Sequence, residues 1–197
     1  SYVNIDCTDH YSGKFRIGGI TGRMCPSITD AEIIDCENYG NIDCRLKNAV
    51  KPLQTIVGGL VGLIGDDAND CLPYISNCTN HGNIYIGGNN FNGNHFVGGC
   101  IGVATSKQKL SFDIEEVTNL GEVKSELTPP NKQTLYIGGV AGRLQYATLY
   151  DCVNGEEGTE KGKVSDVSFT PPTWSYNDKK EVKAAYAVVT YMGGVVG

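Results

Sequence analysis

The chain lacks any block of basic residues. Its nearest approaches are the stretch 47–51 and the pair Lys179-Lys180. Net charge is −6 at pH 7, and the pI is near 5.0. Together these exclude a broad electrostatic grip on nucleic acid or on an anionic membrane surface. No apolar run approaches the about 18 residues that a spanning helix needs, so no membrane-spanning segment is expected in this chain. No leader-peptide pattern is visible from Ser1 onward. Helical periodicity is missing too, since no segment sustains a 3.6-residue apolar repeat over three turns. Prolines number only 7 against 26 glycines, which points to turns within ordered structure rather than a low-complexity linker. His10, His81 and His95 are far apart and show no Cys/His zinc spacing. No cofactor is expected.

What is present is repetition. A Gly-Gly-x-x-Gly signal begins at Gly18, Gly58, Gly98, Gly138 and Gly193, with spacings of 40, 40, 40 and 55 residues. Each unit carries a second signal. It reads Ile33-x-x-Cys36-x-Asn38-x-Gly40-x-Ile42, then Ile75-x-x-Cys78-x-Asn80-x-Gly82-x-Ile84, then Ile114-x-x-Val117-x-Asn119-x-Gly121-x-Val123. A fourth copy starts at Leu149-x-x-Cys152-x-Asn154 and runs into an insertion, 155–191. Self-similarity at this period marks a solenoid, in which stacked units bury what one unit leaves exposed. The expected fold is all-β: a repetitive β-solenoid, a right-handed parallel β-helix with units near 1–17 (partial), 18–57, 58–97, 98–137, 138–192 and 193–197 (partial). Strands are expected over 15–20, 55–61, 135–140 and 184–192, where β-branched and aromatic runs are bounded by turn residues. Both ends fall inside a unit, so the chain is expected to be a fragment of a longer protein or to need further capping segments.

Equivalent residues of successive units should stack about 4.8 Å apart. The apolar columns are Ile17, Val57, Val97, Ile137, Met192; Ile20, Leu60, Cys100, Val140, Val195; Ile33, Ile75, Ile114, Leu149; and Cys36, Cys78, Val117, Cys152. A position that accepts Cys or Val behaves as a small buried hydrophobe, so buried thiols are expected there rather than disulfides. The pairing of Cys7, Cys25, Cys44 and Cys71 is left open. Asn38, Asn80, Asn119 and Asn154 should form an amide ladder at a corner. Gly40, Gly82 and Gly121, two residues later, are expected to supply a positive φ. The Gly-Gly pair suits a bend or a close backbone approach, and its recurrence without a following helix excludes a dinucleotide loop. Apolar positions three apart leave open whether each unit makes one large coil or two small ones.

The run Ile17-Gly-Gly-Ile-Thr-Gly22, its copy Val57-Gly-Gly-Leu-Val-Gly62, and the following Cys/Val-x-Asn-x-Gly-x-Ile/Val segment resemble the GLUG-type repeats of bacterial surface and secreted proteins. The resemblance covers most of the chain outside the insertion. It implies an extracellular or cell-surface β-helical stalk or adhesin-like module, and it brings no catalytic motif.

Function is expected on loops and insertions that vary between units. Trp174 and Tyr176, in the run Pro171-Pro172-Thr173-Trp174-Ser175-Tyr176, are the candidate binding residues for a glycan or protein ligand on another cell surface. The first expectation is therefore a non-enzymatic, adhesin-like binding module, and a plain spacer stalk is one alternative. The other is a polysaccharide-acting enzyme. Asp35, Asn77, Glu116 and Asp151 share one column, and Glu116 and Asp151 on neighbouring coils would have the spacing of a retaining glycosidase pair. Asp66, Asp67, Asn69 and Asp70 form an oxygen-rich loop, a weak candidate for calcium because the Gly and Glu of a calcium loop are missing.

Overall fold

The computed structural model describes residues 1–8, 13–24, 31–46, 52–65, 73–89, 93–106, 112–128, 133–166, 175–176, 182–184 and 189–197. These residues form strands and turns with no helix among them, and the strands stack in parallel as a β-solenoid. Each unit of about 40 residues makes one coil with four faces, which resolves the choice between one coil and two.

The first face stacks Ile5–Asp6, Ile42–Leu46, Ile84–Asn89, Val123–Thr128 and Val164–Asp166. The second stacks Gly13–Gly18, Pro52–Gly58, Gly93–Gly98, Gln133–Gly138 and Val189–Gly193. The third stacks Thr21–Met24, Val61–Ile64, Ile101–Thr105 and Ala141–Gln145. The fourth stacks Glu32–Ile34, Tyr74–Asn80, Phe112–Asn119 and Ala147–Tyr150, with Glu37–Asn38 and Val153–Asn154 continuing its outer coils. The chain passes from the second face to the third, fourth and first, and then into the second face of the next coil. On the second face the register pairs Ile17 with Val57, Val97, Ile137 and Met192, as the repeat spacing requires.

The strands of the second face stop at the first glycine of each Gly-Gly pair, so the expected 15–20, 55–61 and 135–140 strands are each shorter than the apolar run. The glycines explain the break. A Cβ on Gly59 would overlap the Gly99 carbonyl oxygen and the Asn80 side chain, and one on Gly102 would overlap Ile56 Cγ2 and the Gly62 carbonyl oxygen. Only glycine lets the chain fold sharply here and lets the third face approach the second.

Two cores fill the coil. One holds Leu60, Val61, Ile75, Cys78, Cys100, Ile114, Val117 and Val140, between the third and fourth faces. The other holds Ile42, Val57, Ile84, Val97, Val123, Leu135 and Ile137, between the first and second. Between them runs the amide ladder. Asn38 Nδ2 donates to Asn80 Oδ1 at 3.0 Å, Asn80 to Asn119 at 2.9 Å and Asn119 to Asn154 at 2.9 Å. Each amide also donates to a carbonyl two residues on, to Gly40 at 2.8 Å, Gly82 at 2.7 Å and Gly121 at 2.9 Å. In the last copy Asn154 reaches the Gly162 carbonyl instead, at 2.7 Å, so the coil resumes at Gly162 inside the 155–191 stretch. Val164 then pairs with Val123.

The expected positive φ lies in a different column. Gly40, Gly82 and Gly121 do not have positive φ; they are glycine because a Cβ on Gly82 or Gly121 would strike the carbonyl of the glycine one coil below. The column Asp35, Asn77, Glu116 and Asp151 is left-handed instead, with φ of 53°, 50°, 51° and 50°. One such residue between Ile33 and Cys36 resets the strand alternation, so that apolar positions three apart both face inward. It also lets each thiol point back across the corner: Cys36, Cys78 and Cys152 Sγ donate to the carbonyls of Ile34, Ser76 and Tyr150 at 3.2, 3.1 and 3.3 Å. These three cysteines are free thiols, as their column predicts.

Candidate functional site

The Gly-Gly bend does more than turn the chain. Because the third face folds back against the second, their outward side chains meet in a crease that runs along the solenoid. From the second face comes the column Arg16, Ile56, Phe96, Tyr136, Tyr191, two residues before each Gly-Gly pair. From the third comes Arg23, Leu63, Val103, Arg143, directly after each closing glycine. Ile56, Leu63, Phe96 and Val103 pack together as a small external core with Tyr136 against it. They are buried although they lie outside the coil, because the two faces cover each other.

Over this apolar floor lies a cleft of about 120 Å³. Arg16 and Arg23 stand at one end and Arg143 towards the other, with Gln54, Thr105 and Gln145 supplying polar groups along the sides. Arg143 donates to Gln145 Oε1 at 2.8 Å, and its guanidinium carbon lies 5.7 Å from the centre of the Phe96 ring. No described residue lining the cleft is acidic. The first face contrasts with this, because there opposite charges pair off, Arg45 with Asp43 and Lys124 with Glu126.

The rings of Phe96, Tyr136 and Tyr191 stack with centroids 4.9 and 4.8 Å apart and planes 13° and 8° from parallel. Tyr136, the middle ring, therefore has both faces covered and turns only its edges outward. A flat ligand cannot lie on it, so the stack shapes the floor and one wall. A second stack, Tyr2, Tyr39 and His81, has centroids 4.7 and 4.1 Å apart at the corner beside the asparagine ladder. His81 thus belongs to a ring column.

Of the residues singled out from sequence, Glu116 and Asp151 occupy equivalent, exposed positions on adjacent coils. Their place is the left-handed corner, which Asn and Asp tolerate better than most residues. They are remote from the crease, on the fourth face. Trp174 and the oxygen-rich loop of Asp66, Asp67, Asn69 and Asp70 lie outside the described residues. Tyr176 is in a short strand, Ser175–Tyr176, that pairs antiparallel with Val182–Ala184. Among the described residues no cluster of three metal-ligating side chains occurs.

The crease is the feature that sequence reading missed. Its signal was present: the positions two before Gly-Gly and directly after the closing Gly hold Arg or large apolar residues in every unit. Nothing in one dimension says that those two columns face each other.

No protein family, curated protein or solved structure matches this chain. The fold itself defines its class, a parallel β-solenoid repeat protein. No described helix is long and apolar enough to cross a membrane.

Proposed function

We propose that this chain is a non-enzymatic binding module of a surface or secreted protein, holding a glycan in the crease between its second and third faces. The observation that carries this reading is the crease itself. It combines an apolar floor with amide, hydroxyl and guanidinium groups along a straight axis, the composition of a site that orients a ligand by a few polar contacts. Every strand beneath it in the middle coils is paired on both sides, so a peptide finds no open edge to extend there. A hydroxyl-rich chain laid along the axis has partners in Gln54, Thr105 and Gln145. The resemblance to GLUG-type repeats supports a place outside the cell. Trp174 and Tyr176 remain a second proposed contact region for the same ligand.

The test is glycan-array binding of the wild type beside Gln54→Ala/Gln145→Ala and Trp174→Ala. Loss in the double variant supports the crease. Loss only with Trp174→Ala moves the site to the insertion. Silence from all three proteins would sink the glycan reading and favour a spacer stalk or a protein ligand.

A further inference from the structure

The charge of the crease says more than its shape. The chain as a whole is acidic, at −6, yet the described residues that line this cleft include three arginines and no carboxylate. Arg16 and Arg143 are exposed, and both have apolar floor beneath their stems. Arginine in such a place presents a planar fork suited to bidentate pairing with an oxyanion, and the low-dielectric floor strengthens that pairing. A neutral glycan offers the guanidinium groups of Arg16 and Arg143 no anion to pair with.

The separation of the charges sets a length. Arg23 and Arg143 are aligned through Leu63 and Val103, so they stand three coils apart, and Arg16 shares the coil of Arg23. At about 4.8 Å per coil their backbones stand about 14 Å apart. A polymer with repeated negative groups can engage both ends at once.

We propose that the crease binds an acidic polysaccharide, with its carboxylate or sulfate groups on Arg16 at one end and on Arg143 at the other. This rests on the glycan-binding reading above and names the class of glycan. Binding through several arginine contacts should weaken steeply with salt. It should also demand chain length, because short oligomers engage only one end.

The experiment is biolayer interferometry with polygalacturonate, dextran sulfate and neutral dextran, at about 50 mM and about 500 mM salt. The proteins are wild type, Arg16→Gln/Arg143→Gln, Arg16→Lys/Arg143→Lys and Lys161→Gln as a remote charge control. An anionic polymer should bind, and the Gln pair should weaken it at least about tenfold, equivalent to about 1.4 kcal/mol. The Lys pair should recover part of that loss, and Lys161→Gln should change nothing. Polygalacturonate against dextran sulfate decides between carboxylate and sulfate, and monomeric galacturonate should fail to compete. Equal binding of neutral dextran, unchanged by the Gln pair, overturns the acidic class and leaves glycan binding standing. If no polysaccharide binds, both readings fall together. The three arginines are exposed, so thermal melts of the variants should overlay the wild type and separate lost binding from lost folding.

Discussion

The Asn80 side-chain amide donates to Asn119 Oδ1 at 2.9 Å and to the Gly82 carbonyl at 2.7 Å, while its own Oδ1 accepts from Asn38. Asn80 is completely buried, so both its donors and its acceptor oxygen are committed inside the solenoid. Replacing it with Ala strands the Gly82 carbonyl and an Asn38 donor proton, and leaves Asn119 Oδ1 with only the Gly121 N–H. Each such unmet buried group costs about 1–3 kcal/mol. Asn80→Ala should lower stability by about 3 kcal/mol or more in chemical denaturation. Asn80→Asp should be worse, because a carboxylate cannot donate to either oxygen. A melt within one degree of wild type for Asn80→Ala would show that the ladder is dispensable.

The Gly-Gly bend offers a matched pair. Gly59→Ala forces a Cβ into the Gly99 carbonyl and the Asn80 amide, whereas the equivalent Gly194 has nothing within 4 Å of the added carbon. Gly59→Ala should cost about 3 kcal/mol, at the upper end of overpacking penalties. Gly194→Ala should stay within about 0.5 kcal/mol of the parent. Equal effects in thermal melts would mean that the bend tolerates side chains.

Glu116 holds φ at 51°, a conformation that disfavours a long unbranched side chain more than it does Asn. Glu116→Asn should therefore raise stability by about 1 kcal/mol, or about 3 °C in melting temperature. The same site tests catalysis. Under the binding reading, Glu116→Gln leaves ligand binding intact and no polysaccharide cleavage is seen with either protein. Cleavage by wild type that disappears in Glu116→Gln would establish the enzyme alternative.

Cys7 and Cys44 stack on adjacent coils of the first face and share a hydrogen bond. That bond from Cys44 outweighs burial and the nearby Asp6 and Asp43, and holds the Cys7 thiol down to about 7. The hydrogen bond to Cys7, burial and the same carboxylates push Cys44 well above its ordinary value. Native-state alkylation should therefore modify Cys7 before Cys44, with a midpoint near pH 7, and Cys44→Ala should move that midpoint upward. Cys7 favours the fold increasingly as pH rises from about 7 to its ordinary 9.0, and Cys44 withdraws stability above 9.0, so the pair contributes most near pH 9. Simultaneous labelling of both thiols would contradict this ordering.

The sequence by itself determined the stacking. Three spacings of 40 residues, four apolar columns and an asparagine at one place in each unit define which residues must stack, because parallel in-register strands put equivalent positions in contact. The ladder, the free thiols of Cys36, Cys78 and Cys152 (only Cys78 fully buried), and the close approach at Gly-Gly were all legible for that reason. Tertiary structure decided what a one-dimensional alignment cannot hold, namely the angle between faces. The fold-back at Gly99-Cys100 brings Phe96 against Val103, and its copies set Arg16, Arg23 and Arg143 along one cleft. It also decided that Glu116 and Asp151 sit at a left-handed corner, where backbone geometry governs the residue, and that Gly82 is glycine for want of space rather than for its φ. Stacking is a property of the repeat, readable from its period; a groove is a property of how two faces meet, and only the folded chain fixes that.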